Sequence, residues 1–325
     1  MTLILIIVFF IALITTIIYR KIAIKKSIID TPNERSSHTV PTPRGGGVAI
    51  VTAWFTGLSY LFIREQIEQE LFFALISGII LVITSLLDDI YTLKPNIRFG
   101  AQFLSAGLAL YFINGFQTLN LGIFHIENIW LLTLIAFISI IWFINLFNFL
   151  DGIDGYASME TIFLSLSMFY FTNANLFLIL AFATFGFIIW NWQPAKIFMG
   201  DVGSTLLGFN LIILALYYQN IEKTPLIIFI ILSSVFWIDA TLTLYRRWKN
   251  NEKLTQAHKK HAYQRIVRYG FSHQKTTIYA LIINILLFGI ALISEYSNLF
   301  PAYLLAAIII TYFFIRLIDK QYPFK

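Results

Sequence analysis

The sequence predicts an all-α fold: a polytopic integral membrane helical bundle of about 11 transmembrane helices. Three observations predict it. Of the 325 residues, 58% are hydrophobic and only 12% are charged, against about 45–50% and about 25% in a soluble globular protein. Mean hydropathy is +0.76. The apolar residues form eleven continuous runs, not the short alternating segments of an outer-membrane barrel. This composition excludes a soluble enzyme, a disordered chain and a secreted disulfide scaffold. The chain has no cysteine, which also removes any thiolate metal site. Its pI of about 9.3 raises the question of which membrane side holds the basic residues, and calls for no nucleic-acid partner.

The runs lie at 1–19, 46–63, 71–87, 99–113, 129–147, 157–172, 175–190, 203–219, 225–244, 276–294 and 299–317. Run one is followed by Arg20, Lys21, Lys25 and Lys26; a cleavable signal peptide carries such charges before its apolar stretch. Run two opens on Pro43-Arg44-Gly45-Gly46-Gly47, and run three ends at Asp88-Asp89. Run five ends in the Asn145–Gly155 segment. Runs six and seven are separated only by Asn173-Ala174; losing both would leave nine spans with every later side unchanged. Run eight opens on the Phe198–Ser204 segment, which holds Gly200-Asp201. The whole chain, 1–325, reads as a single membrane-embedded domain, without internal repeat or low-complexity linker.

Eleven spans alternate their loops between two faces. The segments 20–45, 88–98, 148–156, 191–202, 245–275 and the tail after 315 hold 21 of the 23 basic residues. The opposite set holds only Arg64 and Lys223. A wrong span count would scramble this parity. The positive-inside rule therefore makes the first set cytoplasmic, with the N-terminus outside and the C-terminus inside.

Acids near a membrane are costly and usually functional. Asp88, Asp89, Asp151, Asp154 and Asp201 all fall in the cytoplasmic set, beside helix ends. Their own loops carry too few cations to neutralise them. Converging, uncompensated carboxylates suit a hard divalent ion held by oxygens. Asn148, Asp151 and Asp154 recur every three residues and form one polar stripe on a near-helical backbone; ordinary helix capping is the alternative. Phe198-Met199-Gly200-Asp201 and the Arg44–Gly47 run each suit capping, close helix packing or an anion. His258, His261 and Arg265 share one face if their segment is helical. Their basic neighbours favour a diphosphate or anionic head groups over a transition metal. Asp239, inside run nine, either lines the site or pairs with Arg246 or Arg247.

Taken together these motifs resemble the polyprenyl-phosphate N-acetylhexosamine-1-phosphate transferases (glycosyltransferase family 4). Asp30–Arg35, His38 and Gly45–Gly47 look like that family's first cytoplasmic loop, and Leu87-Asp88-Asp89 like its aspartate pair. Asn148-Phe-Leu-Asp151-Gly-Ile-Asp154-Gly and Phe198-Met-Gly-Asp201 look like its next two signatures, and His258 with His261 like its histidine loop. The His261-Ala-Tyr-Gln-Arg265 form is more similar to the branch that initiates O-antigen or capsule chains than to the peptidoglycan translocase. Lys94 lies five residues beyond Asp89, off the translocase pattern.

The resemblance implies a reaction. A UDP-linked HexNAc gives its sugar-1-phosphate to undecaprenyl phosphate, with Mg²⁺ (or Mn²⁺) as cofactor and UMP as by-product. It implies roles too: Asp201 and then Asp89 as metal ligands, and Asp88 deprotonating or orienting the lipid phosphate. Asn148, Asp151 and Asp154 would contact the nucleotide-sugar, and Phe198 would stack on uracil. His258, His261, Arg265 and Arg44 would hold phosphates or sugar. A bacterial inner-membrane location follows, and a homodimer is compatible. Two rivals belong to other classes. A UbiA-like, Mg-dependent prenyltransferase would show two similar Asp-rich loops, and a transporter would place its acids near the bilayer midplane within a repeat.

Overall fold

The computed structural model describes residues 1–32, 37–122, 124–254, 256, 258–297 and 299–324, the side chain of Ile90 excepted. About 74% of the chain is helical. The helices are α1 (Thr2–Lys25), α2 (Gly47–Ile63), α3 (Gln69–Ile76), α4 (Ile79–Tyr91), α5 (Pro95–Phe112), α6 (Ile129–Leu150) and α7 (Tyr156–Thr172). They continue with α8 (Asn175–Asn191), α9 (Asp201–Asn220), α10 (Leu226–Leu232), α11 (Ser234–Lys249), α12 (Ala262–Arg268), α13 (His273–Ser297) and α14 (Phe300–Gln321). Two short hairpins complete the fold: Ile29–Asp30 with Thr42–Pro43, and Leu119–Asn120 with His125–Ile126.

Every apolar run is helical, the third as α3–α4 and the ninth as α10–α11. This is an all-α, multi-pass membrane bundle, but the count of eleven spans is not reached by length and apolarity. Among the described residues six helices qualify to cross a membrane, α3–α4 counted as one, or seven if α10–α11 is one span. Helices α2 and α8 are apolar but have only 17 residues each. Helices α5 and α7 carry polar side chains such as Arg98, Gln102 and Glu160 within their length.

Helix α9 is the central post, buried along nearly its whole length against α2, α4 and α6. Close approach at its start is possible because Gly47 meets Gly203. A Cβ on Gly47 would lie 2.3 Å from the Gly203 nitrogen and 2.4 Å from its Cα. The Gly47 N–H also donates to the Met199 carbonyl at 2.8 Å. Backbone atoms cannot rotate away, so Gly47→Ala is expected to cost at least about 1–3 kcal/mol by overpacking. A lower melting temperature in detergent would register this loss, and an unchanged one would refute it.

Between α10 and α11 the chain bends by 73°. Side chains bond the carbonyls at the bend: Trp237 Nε1 donates to Ile230 at 2.9 Å, and the Ser233 and Ser234 hydroxyls add to Phe229 (2.8 Å) and Ile231. A helix can break inside a bilayer when side chains re-satisfy its backbone in this way.

The connections sort to two ends of the bundle. At one end Asn220 donates to Gly115 and accepts from Gln117, tying the 114–128 and 220–224 connections together. The segments read as cytoplasmic from their basic residues meet at the other end, where they build the site.

Candidate active site

Four helix ends and the loop before α2 supply the acids and their partners. The end of α4 presents Asp88 and Asp89. Asp88 has both oxygens engaged: Oδ1 accepts from the Leu93 backbone at 2.6 Å and Oδ2 from Arg98 at 3.1 Å. Asp89 pairs with Arg44 at 3.3 Å. Arg98, in the first turn of α5, also reaches Asp201 at 3.8 Å, so one guanidinium spans two carboxylates from different helices. Asp201, at the first position of α9, keeps a side chain 42% exposed. The left-handed backbone of Gly200 (φ +72°) sets up this helix start.

Asp151 ends α6. Its carboxylate accepts from the Gly200 N–H, and burial, assisted by the charge of Asp201, pushes its pKa well above the usual carboxylate value. Asp201 is thus an electrostatic neighbour of both Asp151 and Asp89. Asn148, one turn earlier, donates to Ser204 at 3.2 Å. Asp154 diverges from this pair. Its Oδ2 accepts from the Ala195 N–H at 3.0 Å, and its Oδ1 lies 3.2 Å from His273 Nδ1. The other ring nitrogen of His273 is 3.1 Å from the Ser37 carbonyl, so Asp154 and His273 clamp three loops together. The polar stripe therefore splits: Asn148 and Asp151 face Asp201, whereas Asp154 is spent on scaffold contacts.

Phe198 is half-buried, with its ring edge-on to His38 at 4.8 Å. Its backbone accepts from Gly46 and donates to Pro43, both at 2.8 Å. The glycine run thus serves close packing of α2 on α9, and Arg44 is its contribution to the acid cluster. Of the first-loop segment Asp30–Arg35, residues 33–35 lie outside the described residues.

The histidine loop divides as well. His258 and His261 lie side by side, ring centroids 4.9 Å apart, and both face a cavity of about 660 Å³. That cavity also touches Asp201, Asn148 and Arg98, and it extends along an apolar wall that includes Phe99, Ile138 and Trp142. Arg265 is instead buried toward α14, paired with Asp319 at 2.8 Å and donating to the Tyr322 carbonyl at 2.6 Å. Helix α12 begins only at Ala262, so the helical face expected to join His258, His261 and Arg265 does not form. Asp239 pairs with neither Arg246 nor Arg247, which bind Asp319 and Glu252. It accepts from the Ala262 N–H at 2.9 Å and so pins the start of α12. Tyr263 then donates to the Phe149 carbonyl at 3.0 Å, fastening this loop to the end of α6.

Burial, reinforced by a neighbouring histidine or arginine, pushes both histidines down to about 3. They are neutral near pH 7 and bring hydrogen bonds rather than charge. His261 Nδ1 is buried without a hydrogen-bond partner among the described residues. The unfolded chain protonates His near 6.5 while folded His261 stays neutral to about 3. Stability should therefore fall as pH drops through that window, by up to about 1.4 kcal/mol per pH unit per site. His261→Gln is expected to flatten this acid limb in a thermal-melt series from pH 7 to 4; an identical limb would show that His261 does not carry it.

Sequence reasoning does not single out Arg98 or His273. It also missed Gln102 and Asn145, whose side-chain amides pair at 2.7 and 3.3 Å on the cavity wall. Their polar positions inside apolar runs were the available signal.

Among the described residues no three His or acidic side chains form a ready metal cage. The donor set still fits a Mg²⁺ ion, which characteristically takes one or two carboxylates and completes its shell with water and substrate phosphate. Asp201 and Asp89 are the oxygens that would hold it.

The family model described as glycosyl transferase family 4 matches residues 71–219. A probable undecaprenyl-phosphate N-acetylglucosaminyl 1-phosphate transferase of Bacillus subtilis is 29% identical over 288 residues, covering 84% of this chain and 78% of the relative. The undecaprenyl-phosphate alpha-N-acetylglucosaminyl 1-phosphate transferase of Escherichia coli is 27% identical over 325 residues, covering 91% and 84%. A decaprenyl-phosphate N-acetylglucosaminephosphotransferase of Mycobacterium tuberculosis is 27% identical, covering 84% and 77%. The match spans α3 to α9, the part of the chain that carries Asp88, Asp89, Arg98, Asn148, Asp151 and Asp201, so the chain is similar, through the segments that build this site, to glycosyl transferase family 4 and to polyprenyl-phosphate N-acetylglucosamine-1-phosphate transferases.

Proposed function

We propose that this protein transfers HexNAc-1-phosphate from a UDP-HexNAc to undecaprenyl phosphate, forming undecaprenyl-diphospho-HexNAc and UMP. It would thereby initiate a cell-envelope glycan of the O-antigen or capsule type. The observation that carries this reading is one cavity with two characters. One end holds Asp201, Asn148, Arg98 and the histidines, and the other is an apolar wall along α4, α5 and α6. A polar nucleotide-sugar and a greasy isoprenoid need that combination. A transporter reading lacks the support of site acids at the bilayer midplane, since Asp88, Asp89, Asp151, Asp154 and Asp201 gather at one end of the bundle.

An oxygen of the lipid phosphate attacks the phosphorus that bears the sugar. The bond from that phosphorus to the UMP oxygen breaks, and UMP leaves with the electron pair. The acceptor is already an anion and needs positioning more than covalent help. Arg44 and Arg98 screen the mutual repulsion of the two phosphate substrates. Asp88, with both oxygens engaged, holds Arg98 in place. Asn148 and Asp151 line the donor side, and neutral His258 and His261 offer ring nitrogens to phosphate or sugar oxygens. Asp201 and Asp89 would hold Mg²⁺, which when bound would supply positive charge to stabilise the leaving group.

GlcNAc is the sugar named for the relatives, so UDP-GlcNAc is the first donor in a panel with GalNAc and 6-deoxy HexNAc analogues. We place the enzyme in the bacterial cytoplasmic membrane, N-terminus outside and site inside. The skew of 21 of 23 basic residues supports this, as does the meeting of those loops at one end. Purified protein given undecaprenyl phosphate, Mg²⁺ and each donor should release UMP with at least one. No release across the panel would defeat the assignment.

A further inference from the structure

A second cavity, of about 300 Å³, lies on the other side of α11, between α12, α13 and α14. It is almost wholly apolar, with Ile283, Phe314 and Ile318 among its walls. Its lips Tyr279, Ile282 and Leu317 are 50%, 50% and 45% exposed, so it opens sideways, where a bilayer would lie. Its back wall is different. There it meets Tyr156, Asp239, Ala262 and Tyr263. Asp239 pins the start of α12, Tyr263 is fastened to Phe149, and Tyr156 stacks on Tyr263 with centroids 4.9 Å apart. This wall is the rear support of the histidine loop.

The rim has a sign. Arg268, Lys275, Arg316 and Lys320 are exposed on the ends of α12, α13 and α14 that surround the cavity. The nearby carboxylate, Asp319, is already gripped on both oxygens by Arg246 and joined by Arg265. Arg316 reaches it only at 4.0 Å, and Arg268, Lys275 and Lys320 have no carboxylate partner among the described residues. Such an apolar slot under a cationic rim at the membrane surface complements a lipid with an acyl chain and an anionic head group. A volume at the lower end of the usual ligand range, about 300–1,000 Å³, holds part of one chain and not a whole lipid.

We infer that this cavity is a binding site for one anionic glycerophospholipid, whose acyl chain braces the histidine loop from behind. The site is separate from the cavity that holds Asp201 and His258, and the inference does not depend on the transfer reaction. Phosphatidylglycerol is the probe. Full-length protein is reconstituted with phosphatidylglycerol and phosphatidylcholine in equal amounts, extracted gently and weighed by native mass spectrometry. It should retain one phosphatidylglycerol with roughly tenfold preference. Lys275→Glu with Lys320→Glu, both exposed, should abolish the preference, and Ile283→Trp should fill the slot and abolish retention. Hydrogen exchange across 258–268 should slow several-fold in phosphatidylglycerol nanodiscs relative to phosphatidylcholine, for wild type alone. Should Ile283→Trp fail to fold, the rim pair still decides. Equal retention of both lipids, retention indifferent to the rim charges, displacement of the lipid by undecaprenyl phosphate, or unchanged exchange would each overturn the inference.

Discussion

Asp201→Asn is expected to lower the rate of UMP release by about 10³-fold or more while leaving a folded protein. The two halves of this expectation rest on different magnitudes. Asp201 is the most open carboxylate of the cluster, its side chain 42% exposed and its ion pair with Arg98 stretched to 3.8 Å. It caps no buried network, and Asn is nearly its isostere. Removing a negative charge from the first turn of α9 forfeits about 0.3–1 kcal/mol of helix-dipole stabilisation. In the proposed Mg²⁺ site, losing Asp201 as a metal oxygen would forfeit several kcal/mol of transition-state stabilisation, and each 1.36 kcal/mol is a factor of about ten in rate. Activity should therefore collapse where stability barely moves. A melting curve and a saturating-substrate turnover assay on the same preparation separate the two effects. Turnover within about tenfold of wild type would remove Asp201 from the metal site.

How much of this was legible in the sequence depends on the range of the interaction. Continuous apolar runs report on local structure, and each of them became a helix. The parity of basic residues reports on which loops share a side, and the loops it grouped do meet around Arg44, Asp89, Asp201 and Asp154. Pairings between distant segments were not legible. Nothing in the spacing of Arg98 says that it will touch Asp201, about a hundred residues away. Asp154 looked equivalent to Asp151 by its three-residue step, yet the helix ends at Leu150 and the chain turns, so the two acids point to different neighbours. Arg265 looked like a third member of the histidine group, because its helical register was extrapolated back through a loop that is not helical. Its guanidinium is drawn instead to Asp319, 54 residues later in the sequence, in a contact that no local pattern encodes.

Arg98 carries the second large expectation, and its sign differs from that of Asp201 in one respect. Its guanidinium lies 3.1 Å from Asp88 and 3.8 Å from Asp201, while Arg44 serves Asp89 alone. Without a bound cation, Arg98 is what holds the two carboxylates together against their repulsion. With substrates present, the same charge-assisted donors screen phosphate oxygens. Arg98→Ala should therefore lower kcat by about 10²-fold, the order seen when one preorganised donor is removed from a transition state. It should also leave Asp88 and Asp201 mutually repelling and short of a cation, which favours added positive charge. The Mg²⁺ concentration for half-maximal activity should therefore fall in Arg98→Ala, whereas in Asp201→Asn it should rise if residual activity is measurable. Arg98→Lys keeps the charge but loses the fork that spans two acids, so it should restore the wild-type Mg²⁺ requirement without restoring kcat. A Mg²⁺ titration of the three variants at saturating donor reads these signs directly. If Arg98→Ala needs more Mg²⁺ than wild type, the arginine supports the metal site rather than standing in for its charge, and the electrostatic account of this cluster is wrong.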